Sequence, residues 1–141
     1  RDALSGYQKG KCFYCFSDMS IEMDRDNPVE VDHFFPHTLT HTSEFDQINI
    51  DGVWNLVLSC KECNRGTDGK HARVPALKYL KMLHWRNNYL IHSHHPLQQT
   101  LIRQTGSTEK ERWKFLKQIY DQAIKILIHR WSPPYENRPV F

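Results

Sequence analysis

The residues of this chain able to hold a metal or move protons are four cysteines, nine histidines and a scatter of carboxylates. The cysteines come as two pairs, Cys12-x-x-Cys15 and Cys60-x-x-Cys63, with none left over. A two-residue spacer brings both sulfurs of a pair to one side of a tight turn. Two such knuckles supply the four thiolates that tetrahedral zinc prefers. Two disulfides in a secreted scaffold are the competing reading, but such scaffolds carry more cysteine and less core. A redox Cys-x-x-Cys has no need of a matched second pair. A site filled by four sulfurs has no position open for water or substrate, so the zinc is expected to be structural, with any catalysis elsewhere. It closes a loop of about 45 residues and should be coupled to folding.

Between the knuckles lie Asp32-His33 and Asn55, and Asn64 follows the last cysteine directly. The elements that must position them are short. Residues 28–36 alternate apolar and polar before ending at a proline, which reads as a strand. Residues 53–59 form a second β-rich run that ends at the second knuckle. The polar stretch 37–52 between them reads as a long hairpin loop, and 64–70 as a short helix interrupted by two glycines. Successive strand residues point to opposite faces, so Asp32 and His33 cannot aim at one point on an ideal strand. A strand end or a bend before Pro36 would relax this.

Strand, long loop, strand and helix, clipped at both ends by zinc knuckles, resemble the HNH nucleases of the ββα-metal superfamily. The string Cys-x-x-Cys, Asp-His-x-x-Pro, Trp-Asn-Leu-Val-Leu, Cys-x-x-Cys-Asn looks like its zinc-containing branch. The resemblance covers residues 12 to about 70, and its specificity lies in the order and spacing of the elements together. It implies an α+β fold: a ββα-metal hairpin-helix core clipped by a four-cysteine zinc site, with a helical C-terminal extension.

The resemblance also implies roles. His33 takes the position of the general base, and Asn55 that of the residue fixing the loop that orients the base. Asn64 stands where the family often has a metal-binding His, making this an H-N-N variant. Asp32 matches the branch's other metal ligand. A neutral amide oxygen at 64 suits a hard, oxygen-seeking cation, so Mg2+ is expected, with Mn2+ as another divalent choice. Phosphodiester hydrolysis needs an activated water, neutralisation of charge on the phosphorane and a stabilised leaving oxygen. Imidazole can supply the first, being largely neutral at pH 7, and a cation held by Asp32 and Asn64 the other two. The implied activity is endonucleolytic cleavage of DNA, with restriction or anti-phage defence as the setting suggested first. The rivals are the same site acting on RNA and a non-catalytic zinc-stabilised nucleic-acid-binding module. His37 and His41, in the loop, are left outside the site.

Residues 1–60 carry four Lys/Arg against ten Asp/Glu, and residues 61–141 carry fifteen against six. An acidic half joined to a basic half suits a protein that holds cations in one place and a polyanion in another. Six Lys/Arg and one acid lie between Arg65 and Arg86. Of these, Arg65, Lys70 and Arg73 are the candidate nucleic-acid contacts, because they follow Asn64 closely. From Val74 onward the periodicity is helical. Pro75 is placed in a first turn, a second short helix runs from Pro96, and a third follows Gly106 with Thr108-x-x-Glu111 in capping-box form. The third helix is expected to run through Trp131 to stop at Pro133-Pro134. The histidines at 92, 94 and 95 read as a turn.

The division expected is a nuclease core over 1–74 and a helical extension over 75–141 packed on it as one unit. The chain opens with Arg1 and reads as a piece of a longer protein, with further domains or subunits supplying specificity. A homodimer is compatible with this reading. With 39% apolar and 25% charged residues the chain reads as globular, not disordered. No apolar run approaches the length of a membrane span, and a cytoplasmic location is expected.

Overall fold

The computed structural model describes residues 2–19 and 28–141. Helix α1 (Asp2–Gln8) leads into the first knuckle. Strands β1 (Val29–His33) and β2 (Leu56–Cys60) pair antiparallel, from Val29 opposite Cys60 to His33 opposite Leu56. The connection is built of 3-10 turns at His37–His41, Ser43–Phe45 and Val53–Asn55. Helix α2 (Lys61–Arg65) follows β2 without a break. The long hairpin loop expected of 37–52 is therefore a compact, turn-rich connection. Leu39, Phe45 and Ile50 bury themselves and hold it down.

Helix α2 begins earlier than the glycines suggest. The Cys60 thiol caps it by accepting a bond from the Cys63 N–H at 3.4 Å, and it ends at Arg65. The segment after it folds back tightly. A Cβ on Gly69 would meet the Glu62 carbonyl oxygen and the Gly66 nitrogen, each at 2.7 Å. Glycine is needed there for close approach of backbone to backbone.

Strand β3 (Val74–Pro75) and helices α3 (Leu77–His92), α4 (Gln98–Thr105) and α5 (Glu109–Ile126) make up most of the second half. Pro75 lies in β3, not in the first turn of α3. Thr108 caps α5 as its spacing predicts, accepting from the Glu111 N–H at 3.1 Å. The helix stops at Ile126, short of Trp131. The chain turns there, and β4 (Arg130–Trp131) pairs in parallel with β3. Trp131 is buried in β4, its indole donating to the Asp68 carbonyl at 2.8 Å.

One hydrophobic cluster runs from the knuckles and Phe34, Phe35 and Trp54 to Tyr79, Leu83, Leu116 and Tyr120, so the core spans the expected boundary at residue 74. Arg86 lies in this core, fully buried. It donates to the carbonyls of Leu56 at 2.8 Å, Val53 at 3.2 Å and Trp54 at 3.3 Å. Burial pulls its pKa down to about 10. This arginine, which the sequence counts in a basic stretch, clamps α3 to the start of β2. No described helix is long and apolar enough to cross a membrane.

Candidate functional site

The first knuckle is laid along β2 by two sets of bonds. The Phe13 N–H donates to the Leu58 carbonyl at 3.0 Å. The buried Gln8 amide donates to the same carbonyl at 2.8 Å and accepts from the Leu58 N–H at 3.0 Å. The second knuckle is the junction of β2 and α2. Together they bring the sulfurs of Cys12, Cys15, Cys60 and Cys63 within 4.8 Å of one another. Cys15 and Cys60 stand 3.8 Å apart and all four thiols are free. A tetrahedron with zinc–sulfur bonds of about 2.3 Å has an edge of about 3.8 Å. The Tyr14 N–H donates to the Cys12 sulfur at 3.4 Å, as the Cys63 N–H does to Cys60.

The four thiols share protons in a crowded space. Hydrogen bonding to Cys15 pushes Cys12 up, and bonding to Cys12 pushes Cys63 up. Bonding to Cys12 draws Cys15 down, and draws Cys60 down to about 7. A divalent cation relieves that crowding, and the cluster can hold a zinc ion. Among the described residues it is the one group of three or more His, Cys, Asp or Glu side chains gathered this closely.

Alternation along β1 sends Asp32 and His33 to opposite sides, and each meets its own partners. Asp32 is buried. It accepts from the Tyr14 hydroxyl at 2.6 Å and lies 3.3 Å from the Lys70 ammonium. Lys70 is fully buried as well and donates to the His33 carbonyl at 2.8 Å. Burial raises the Asp32 pKa against the opposing pull of Lys70, and burial lowers that of Lys70. Tyr14, between the first two cysteines, and Lys70, after the last, thus tie both knuckles to β1. Asn64 has another partner. Its amide donates to Glu30 at 2.9 Å, and Arg65 pairs with the same carboxylate at 2.7 Å. Arg65 and Asn64 hold Glu30 below the usual carboxylate range.

The magnesium donor set expected of Asp32 and Asn64 does not fit this arrangement. Magnesium keeps several waters and needs open space around its protein ligands. The Asp32 side chain is 7% exposed and already paired with a cation. Nor can Lys70 serve as the expected nucleic-acid contact, because its ammonium is fully buried against Asp32. Arg73 spends its guanidinium on the carbonyls of Lys70 and Gly69. Arg65 remains well exposed, with its side chain in the Glu30 pair.

His33 sits on the open side, at the end of β1. Its Nε2 lies 2.8 Å from an Asp51 carboxylate oxygen, and His37 Nε2 lies 3.6 Å from the same oxygen. The rings of His33 and His37 meet edge to face at 5.5 Å. Asn55 holds this pair together from below. Fully buried, it accepts from the Phe35 N–H at 2.8 Å, and its amide nitrogen donates to the carbonyls of Phe35 at 3.0 Å and Ile50 at 2.9 Å. Residue 35 is two beyond His33 and residue 50 is one before Asp51, so one amide sets the distance between the two ends of the loop. The result is an imidazole about one-third exposed, with an oriented ring, next to a carboxylate and a second imidazole. Such a group can accept a proton from a bound water or hydroxyl.

Asp51 and His37 belong to this cluster although the motif reading leaves both out. No local pattern marks Asp51, which sits in a polar loop 18 residues from His33. Tyr14 offered only the hint of an aromatic inside a knuckle. His41 is exposed; of the three histidines read as a turn, His92 is instead the last residue of α3, His94 lies in the turn that follows it, and His95 comes just after that turn. No protein-family model, curated protein or solved structure matches the chain.

Proposed function

We propose that this chain is a zinc-stabilised nuclease of the HNH kind, hydrolysing phosphodiester bonds in DNA with His33 as general base. The observation that carries the reading is the Asn55 amide, whose three buried hydrogen bonds brace the loop that presents His33. A buried side-chain amide must find partners, and here every one of them lies in the two segments that frame the imidazole. That is the service an HNH nuclease asks of its middle residue. The four thiols would hold zinc and supply no chemistry beyond locking the knuckles to β1 and β2.

The chain's own residues divide the work. His33 takes the proton from the attacking water, with its ring about two-thirds shielded from solvent. Arg65 offers an exposed guanidinium beside the helix end, where it meets the phosphate backbone in competition with Glu30. A divalent cation, if bound, would neutralise the charge that builds on the phosphorane and leaving-group oxygens. Asp32 and Asn64 as they stand do not form its donor set, so no step is assigned to it.

The buried Asp32–Lys70 pair favours a second reading, a zinc-clipped nucleic-acid-binding module without catalysis, since it occupies the carboxylate that an HNH metal would use. One experiment separates the two. Purified protein is incubated with supercoiled plasmid, linear duplex, single-stranded DNA and RNA, each with Mg2+, Mn2+ or chelator. Divalent-dependent nicking of the plasmid supports the nuclease. Retention of DNA on the protein with no cleavage under any condition supports the binding module, and cleavage of RNA alone moves the substrate class.

A further inference from the structure

We propose that Asp51 is a positioning residue for His33: its carboxylate fixes the imidazole as the Nε2–H tautomer, so that Nδ1 is the nitrogen that exchanges a proton with the reacting water. The catalytic consequence rests on the nuclease reading above. The tautomer assignment stands on the geometry alone.

An ionised carboxylate can only accept hydrogen bonds, so the ring nitrogen 2.8 Å from Asp51 must carry the proton. In a neutral imidazole that leaves the lone pair on Nδ1. No described residue bonds Nδ1. When the ring is protonated, both nitrogens carry protons, the Asp51 contact becomes an ion pair, and the proton free to leave is again the one on Nδ1. The same nitrogen therefore faces the water in both states, which a base that cycles once per turnover requires.

Three features make the contact a built one, although the Asp51 side chain is itself 68% exposed. Asn55 bonds the Ile50 carbonyl, one residue before Asp51, and both backbone groups of Phe35, so the backbones carrying the acid and the base are held by one side chain. His37 presses its ring edge to face against His33 and reaches the same Asp51 oxygen, which limits swing of the His33 ring about its second torsion. The Lys70 ammonium fixes the His33 carbonyl from the far side of the strand. An imidazole constrained at its backbone, ring face and ring nitrogen is preorganised for one proton-transfer direction.

The test uses the zinc-loaded chain, with Asp51→Ala and Asp51→Glu beside the wild type. Long-range proton–nitrogen correlation spectra read the His33 tautomer directly. The wild type is expected to show the proton on Nε2, Asp51→Ala to lose that preference, and Asp51→Glu to keep it. In cleavage kinetics Asp51→Ala should lose roughly 10²-fold in kcat, the scale of a misplaced reacting group. KM, zinc content and the thermal midpoint should not move, and Asp51→Glu should recover part of the rate. A wild type with the proton on Nδ1, or Asp51→Ala with the proton still on Nε2, overturns the assignment. Full kcat in Asp51→Ala overturns the positioning role and leaves the nuclease reading intact. An Nε2–H tautomer that depends on Asp51, in a protein that cleaves no nucleic acid, upholds the assignment and overturns the nuclease reading.

Discussion

Replacing Asn55 by Ala removes the brace between the two ends of the connection, and the structure sets the size of the loss. Three hydrogen bonds of 2.8–3.0 Å disappear at a side chain with no exposure. The Phe35 N–H and the carbonyls of Phe35 and Ile50 are left without their partner, in residues that are themselves buried. Each stranded group costs about 1–3 kcal/mol. A water entering the space vacated by the amide recovers some of that, so the net cost is about 3–5 kcal/mol. For a chain of this length, one kcal/mol moves the melting midpoint by about 3 °C, which predicts a drop of about 10–15 °C. Asn55→Asp should be at least as harmful, because it keeps one acceptor, loses both donors and buries a charge facing two carbonyls. Thermal melts and urea titrations of zinc-loaded protein give the numbers. A midpoint for Asn55→Ala within about 3 °C of wild type, on the same scale, would show that the amide does not brace the loop.

Other consequences follow from the knuckles and from β1. Elemental analysis should find about one zinc per chain, the stoichiometry of a closed four-thiolate site. Cys60→Ser should lose the metal and the hairpin together, and metal-free protein with full structure would refute this. Lys70→Met strands the buried Asp32 carboxylate and should cost about 3–5 kcal/mol in urea titrations. The double change with Asp32→Asn should recover part of that cost, and an additive loss would deny the pairing. Arg65 and Asn64 hold the Glu30 pKa below its ordinary value. Its contribution to stability is therefore present above that ordinary value and is lost as pH falls through the depressed one. Glu30→Gln should flatten the acid limb of the stability profile in that window, and an unchanged limb in melts across acid pH would show that the pair contributes nothing.

Features coded by short patterns were legible in the sequence. The Cys-x-x-Cys pairs pointed to one cluster, the alternation of residues 28–36 gave β1, and Thr108-x-x-Glu111 marked the start of α5. The two-residue period also put Asp32 and His33 on opposite faces, where they are found. What stayed hidden depends on long-range packing. Lys70 reads as a nucleic-acid contact and Arg86 as one cation of a basic stretch, because burial of a charge depends on partners 30 or more residues away, Asp32 for one and the carbonyls of Val53, Trp54 and Leu56 for the other. The β3–β4 pair joins segments 56 residues apart in the chain, and no local periodicity announces a two-residue parallel strand. Asp51 was hidden for the same reason: its partner is brought to it by an amide four residues further along.

The claim at the centre of this account is that His33 is the base of a phosphodiester hydrolase, and His33→Ala tests it most directly. The assay is the cleavage rate of supercoiled plasmid, measured on variant and wild type matched for zinc content, melting midpoint and DNA affinity. A general base acts on the water in the transition state and adds little to ground-state binding. The account predicts that the variant binds DNA as the wild type does and cuts it slower by on the order of 10²–10⁴. Cleavage by His33→Ala at the wild-type rate would contradict it.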